Sequence, residues 1–351
     1  MTQNKILLED FASVAERYDF SALKNSSVFI TGSTGLLGSQ LVLFLDYLNQ
    51  TKDYGTKIYA LVRSREKAER VFADAFGRVN CVCGDVLNLP QIPEPIDYVI
   101  HGASITSSKA FVEKPVEVID ILINGTKNVL EFVEQKKVKS FVYLSSLEIY
   151  GSFPNQKEIA IVKEDDSGYI NSMSVRSSYS EGKRLCESLC RAYQSEYDLP
   201  VKVARLCQTF GYGVEYNDNR VFAQFARSVI ENKDIVLKTK GETVRNYCYT
   251  SDAVSGILTV LLKGENGEAY NIANPNSTIS IADMASLFCN LFEKSKSKVV
   301  FDLTDDVSKF GFNPVVKLQL NSSKLQALGW SANVGLSDSI RKLVAYMRGL
   351  K

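Results

Sequence analysis

Tyr179 and Lys183 stand four residues apart in the run Tyr179-Ser180-Glu181-Gly182-Lys183. On a helix that spacing puts a phenol and an ammonium on one face, one turn apart. An ammonium so close favours the phenolate and is expected to lower the Tyr179 pKa. A phenol tuned in this way takes a proton from a substrate hydroxyl while hydride leaves the same carbon. Upstream, Ser145-Ser146-Leu147-Glu148-Ile149-Tyr150-Gly151 closes a predicted strand, at the edge where open α/β sheets bind ligands. The Ser146 hydroxyl can hydrogen-bond the reacting oxygen there. Glu148 adds a carboxylate, fit either for proton transfer or for a structural hydrogen bond.

A second group of residues is suited to phosphate. Thr31-Gly32-Ser33-Thr34-Gly35-Leu36-Leu37-Gly38 follows the first predicted strand and opens a helix. Glycines three apart permit a tight turn, a close approach of pyrophosphate to the backbone and tight helix–strand packing. The free amides and positive end of the helix then face the phosphates. Gly32, Thr34, Gly35, Leu36, Leu37 and Gly38 are therefore the expected dinucleotide cradle. The second strand ends in Leu61-Val62-Arg63-Ser64-Arg65, where NAD-binding folds usually carry an acid. Arginine and serine suit a 2′-phosphate instead, so Arg63 favours NADP over NAD.

These residues need a frame that brings strand ends together. The runs 26–31, 57–62, 79–84, 98–103, 140–146 and 201–209 read as strands, nearly all apolar, as parallel strands covered on both faces are. Helical patterns lie between them near 36–50, 64–76, 116–136 and 179–196. The alternation predicts an α/β fold, a Rossmann-type doubly wound parallel sheet. Residues 5–18 read as an extra amphipathic helix ahead of it. Past residue 210 the pattern shifts to helices around 219–234 and 278–295 with short scattered strands, which reads as a smaller mixed α/β substrate domain. The expected division is 1–25 for the N-terminal extension, 26–210 for the NAD(P)-binding domain and 211–351 for the substrate domain, with some interleaving.

Composition narrows the function class. Forty-one basic and 40 acidic side chains leave a net charge of +1, which gives no general pull toward nucleic acid or anionic membrane. A secretory signal and an apolar run of membrane-spanning length are not found, so a cytoplasmic protein is expected. Seven cysteines, an odd number, read as reduced thiols. With a single histidine, His101, neither a metal site nor a Ser-His-Asp hydrolase is expected.

The set TGSTGLLG, CGDV, HGAS, NGT, SSLEIYG, YSEGK, ARLCQTFG and VRNYCYTSDAV resembles, in order and spacing, the extended short-chain dehydrogenases. The likeness is to the NAD(P)-dependent sugar-nucleotide epimerase/dehydratase family, over about residues 26–345. The resemblance implies that Tyr179 is the catalytic acid or base and that Lys183 holds the nicotinamide ribose. It implies that Ser146 polarises the substrate oxygen, that Asp85 and Val86 meet the adenine and that Ala103 lines the cofactor groove. Arg245 would clamp the substrate diphosphate. Gln208 stands where the family usually has a substrate-contacting asparagine, and Ile121 and Leu122 replace another asparagine upstream of NGT. A homodimer through the 116–136 and 179–196 helices is implied as well, with Leu185, Leu189 and Tyr193 on its face.

The reaction is the least specified feature. Glucose-nucleotide dehydratases carry Asp-Glu after the catalytic hydroxyl, where this chain has Leu147 and Glu148. The acid that would protonate a leaving hydroxyl is absent, and the remaining carboxylate is shared with mannose-nucleotide dehydratases and glucuronate decarboxylases. Arg176 to Arg184 resembles the decarboxylases' version of this helix. Epimerisation, which only moves hydride off and back, is the expected reaction on a nucleoside-diphosphate-linked sugar or polyol. Dehydration, decarboxylation, NADPH-dependent ketone reduction and a non-catalytic NADP-binding regulator are the alternatives.

Overall fold

A computed structural model describes residues 2–153, 158–303 and 315–351. Seven parallel strands form its centre: β1 (Ser27–Thr31), β2 (Lys57–Val62), β3 (Asn80–Cys83), β4 (Tyr98–His101), β5 (Ser140–Ser146), β6 (Val201–Leu206) and β7 (Ala269–Ile272). Their order across the sheet is β7-β6-β5-β4-β1-β2-β3. Residues of β1, β4 and β5 are buried almost throughout, the consequence of helices covering both faces. Because all seven strands run the same way, their C-terminal ends share one edge, and the order reverses between β1 and β4. That crevice is where doubly wound folds take ligands.

Two sequence expectations change. The run 201–209 is not one strand. β6 ends at Leu206, and Gln208–Phe210 leaves the sheet to pair with Tyr247–Tyr249. The run 270–273, read as a scattered strand of the second domain, instead pairs with β6 as the seventh strand of the main sheet. Short apolar segments carry no label for which sheet they join; the long-range pairing decides.

The helix Thr2–Arg17 packs through Phe11, whose ring lies 5.2 Å from Phe44 of the helix Leu36–Lys52. Its buried Asp10 accepts a hydrogen bond from Tyr249 at 2.8 Å and pairs with Lys342. The helix Thr250–Lys263 is buried along almost its whole length. It lies under β5 and β6, against the helix Leu36–Lys52. The helices Val221–Glu231, Ile281–Leu291 and Leu336–Arg348 enclose a separate apolar cluster around Phe210, Phe225, Phe288 and Leu343.

His101 ends β4 and ties three elements together. Its Nδ1 lies 2.6 Å from Thr31 Oγ1 on β1, and its Nε2 lies 3.2 Å from Thr126 Oγ1 on the helix Pro115–Lys136. Burial, aided by the Lys183 charge, pulls its pKa from 6.5 down to about 3. The unfolded chain therefore binds a proton below pH 6.5 that the folded chain refuses until about pH 3. Stability is lost as pH falls through that window, by about 1.4 kcal/mol per pH unit from this group. Urea unfolding at neutral pH and near pH 5 should show a smaller acid loss in His101→Asn than in the wild type. Equal losses would remove His101 as the cause.

Candidate functional site

The glycine loop begins where β1 ends. Gly32 has φ +67, and a Cβ there would come within 2.6 Å of the Gly102 backbone and 2.7 Å of the Ala103 amide. Only glycine lets the loop after β1 lie against the loop after β4. A Cβ on Gly38 would meet the Gly32 carbonyl at 2.2 Å, so the helix Leu36–Lys52 starts tight against the turn. Ser33 is fully buried and its hydroxyl donates to the Leu61 carbonyl at 2.7 Å. Gly35 is exposed, and Thr34, Leu36 and Leu37 are half-buried. The cradle thus opens to solvent on the side of the first-turn amides, which lack intrahelical acceptors. These features fit a dinucleotide's pyrophosphate.

The other expected cofactor residues follow neighbouring strands. Arg63 follows β2, exposed and without a hydrogen bond or ion pair among the described residues. Ser64 is not free for a phosphate: its hydroxyl donates to Glu66 at 2.7 Å and accepts the Lys67 amide at 3.0 Å, capping the helix Arg65–Phe72. Asp85 and Val86 follow β3, and Asp85 accepts the Leu87 amide. Val86 is buried against Gly125, where a Cβ would lie 2.8 Å from its methyl. Ala103 follows β4, its amide donating to Thr31 Oγ1 at 3.2 Å.

Ser146 is the last residue of β5. Its Oγ accepts the Glu148 amide at 3.2 Å, which caps the 3-10 turn Leu147–Tyr150, and it also hydrogen-bonds Tyr179. Tyr179 and Lys183 lie on the helix Ser178–Tyr197, whose buried face runs Tyr179, Lys183, Cys186, Cys190. Gly182 permits that helix to press on Leu122, 2.7 Å from where a Cβ would stand. Arg205 of β6 forks onto Glu187 at 2.7 to 3.2 Å, and Ser145 donates to the same carboxylate, fixing the helix against β5 and β6.

The electrostatics differ from the expectation for Tyr179. Burial and the nearby Glu148 carboxylate push its phenol up, against the Ser146 hydrogen bond and the charges of Arg176 and Arg220. Lys183 does not reverse this. Its Nζ is 5.8 Å from the Tyr179 ring centre, and burial pulls Lys183 itself down to about 8. Removing both groups from water works against each one's charged form, which the four-residue spacing does not reveal.

Sequence reasoning missed how Glu148 is held. Arg176 grips both its oxygens at 3.0 Å, and Ser180 donates to one of them at 3.0 Å. Burial would raise the Glu148 pKa, but Arg176, then Arg245 and Ser180, bring it below the usual value. Arg176 also lies 4.7 Å over the Phe111 ring, which stacks on Tyr179 at 4.4 Å. Arg176 and Glu148 are 28 residues apart and obey no local period, so only their opposite charge signals the pair. Arg245, on the strand Val244–Arg245, reaches the same site with a buried Nε that has no hydrogen bond. Gln208, half-buried, opens its short strand beside Tyr247. Among the described residues no group of three or more His, Cys, Asp or Glu could hold a metal, and no helix is long and apolar enough to cross a membrane.

Known proteins resemble this chain in sequence and in fold. The UDP-glucuronic acid decarboxylase 1 of Xenopus tropicalis is 28% identical over 326 residues, 92% of this chain and 72% of that protein. The human dTDP-D-glucose 4,6-dehydratase is 24% identical over 334 residues, 92% of this chain and 89% of that one. Among solved structures, the UDP-N-acetylglucosamine 4-epimerase of Methanobrevibacter ruminantium superposes with a TM-score of 0.78 at 18% identity, covering 93% of this chain and all of that one. The dTDP-glucose 4,6-dehydratase DesIV of Streptomyces venezuelae, solved with NAD, gives 0.76 at 21%, covering 92% and 97%. The sequence model of the NAD dependent epimerase/dehydratase family matches residues 28–273, and with the cradle, the strand-end serine and the Tyr-Lys helix in place, this chain belongs to that family of nicotinamide-dependent sugar-nucleotide enzymes.

Proposed function

We propose that the chain epimerises a sugar or polyol linked to a nucleoside diphosphate, through a transient ketone. The observation that carries this is the state of Glu148. Both its oxygens are engaged by Arg176 and Ser180, and it is held ionised. A carboxylate so committed is a poor base for pulling a proton from carbon. Leu147, buried beside it, offers no acid to a leaving hydroxyl. What remains is proton transfer at one oxygen, which is all the acid–base chemistry an epimerase asks of its side chains while hydride leaves and returns to the other face of the ketone.

Tyr179 exchanges the proton at the substrate oxygen. As the phenol it donates to the ketone. It takes the hydroxyl proton as phenolate, a form that burial and Glu148 disfavour and that added positive charge beside it must restore. Ser146 hydrogen-bonds the same oxygen and keeps the phenol aligned. Lys183 supplies positive charge beside Tyr179, and Arg245 and Gln208 hold the substrate near its phosphates, Arg245 by its fork of donors. The residues that would hold the nicotinamide cofactor are Gly32, Thr34, Gly35, Leu36, Leu37, Gly38, Arg63, Asp85, Val86 and Ala103, with Tyr179 and Lys183. When bound, it would supply acceptance and return of the hydride. NADP is favoured over NAD on the exposed, unpaired Arg63.

Decarboxylation is the second reading. A uronate oxidised beside its carboxylate loses carbon dioxide with no carbon base. The unpaired buried Nε of Arg245 and the likeness to glucuronic acid decarboxylases favour it.

Incubation with a panel of uridine, cytidine, guanosine and thymidine diphospho-sugars in deuterated water separates the reactions. Epimerisation yields an isomer of unchanged mass, without solvent deuterium on carbon and without net cofactor consumption. Loss of water, loss of carbon dioxide, or one cofactor reduced or oxidised per turnover would each replace it. Tyr179→Phe should lower turnover at least about 100-fold while cofactor binding persists; an active variant would take the phenol out of the mechanism. Arg63→Ala should weaken NADP binding far more than NAD binding by titration calorimetry, and equal losses would retire the 2′-phosphate contact. The proposal includes a homodimer. Val116, Ile119 and Leu185 are exposed on the two helices expected to form its seam, whereas Leu189 and Tyr193 are partly buried against the core. Light scattering should give twice the chain mass, and a monomer at micromolar concentration would overturn this seam.

A further inference from the structure

Lys183 carries a charge out of water with few partners. It is 3% exposed, and its Nζ donates to the Leu144 carbonyl at 2.7 Å. No carboxylate pairs with it among the described residues. Glu187, one turn along the same helix, is turned to Arg205 and Ser145. The nearest π face is that of Tyr143, the residue before Leu144 on β5. Its ring centre is 4.5 Å from Nζ, against 5.8 Å for Tyr179. Tyr143 is 1% exposed, and its hydroxyl is buried without a hydrogen bond of ordinary geometry beside the Cys186 thiol. What this tyrosine brings to Lys183 is therefore its ring.

We propose that Tyr143 is a positioning residue: the face of its ring anchors the Lys183 ammonium and keeps it charged in a site that excludes water. A cation over an aromatic face gains most where it has lost its hydration. The other groups facing Lys183 give little help. Cys186, Glu187 and Cys190 lie on its own helix with Tyr179, and His101 of β4 stays neutral. Burial has already brought Lys183 down to about 8. At that level a small loss of attraction changes the charged fraction near neutral pH, whereas an exposed lysine would not respond.

The test reads Lys183 itself and so is independent of which sugar chemistry the protein performs. Full-length protein carrying 13Cε-labelled lysine is titrated by NMR, and the Lys183 resonance is identified by its loss in Lys183→Arg. Tyr143→Phe keeps the ring and should leave the midpoint in place. Tyr143→Leu should lower it by about 0.5 to 1.5 pH units. Because a leucine there could disturb β5, phenylalanines with increasing fluorination at position 143 provide a shape-preserving series. The midpoint should fall stepwise as the ring face loses negative potential. A midpoint that does not move across the fluorinated series would overturn the proposal, whatever the leucine variant does.

Discussion

The site depends on a phenol and an ammonium held together out of water. Tyr179 and Lys183 are both buried on the sheet-facing side of one helix. Each is pushed toward its neutral form, the phenol up and the amine down. Much of the surrounding structure answers that cost. Arg205 and Ser145 bind Glu187 so that the helix cannot shift along β5. Gly182 lets it pack closely on Leu122 of the helix Pro115–Lys136. The Leu144 carbonyl and the Tyr143 ring meet the ammonium. Only the ammonium, brought down to about 8, is thereby poised near neutral pH; the phenol is held in its protonated form.

Glu148 shows how one neighbour redirects a residue's chemistry. As an isolated carboxylate at the strand end beside Ser146 it would be free to serve as a base. Clamped by Arg176 and Ser180 it is instead a fixed negative charge that raises Tyr179 and anchors Arg176 over Phe111. The stack Arg176–Phe111–Tyr179 then orients the phenol. The chain's relatives include both decarboxylases and dehydratases, so fold alone leaves the reaction open.

The glycine cradle was legible because its signal is local: glycines at fixed spacing between a strand and a helix, with Gly32 confirming the need through positive φ and contact with Gly102. The strand-end positions of Ser146, Arg63, Asp85 and Ala103 were legible for a related reason. A run of parallel strands puts every residue after a strand on one edge. The direction of the Tyr179 shift was not legible, since it is set by burial and by a carboxylate 31 positions away in the chain rather than by the lysine four residues on. The roles of Arg176 and Tyr143 were hidden because each depends on a partner, Glu148 or Lys183, met only across the fold.

By itself the sequence determined the element types and the parallel sheet, and it named the groups whose chemistry suits proton transfer or phosphate binding. Those follow from periodicity, glycine placement and side-chain chemistry, which act over a few residues. The tertiary structure alone decided that 269–272 closes the sheet as its seventh strand, that Glu148 is spent on an arginine, and that Lys183 rests on an aromatic face. Strand pairing and the protonation of buried groups are set by what chain folding brings alongside and by how much water it removes. Neither quantity is written at a single position.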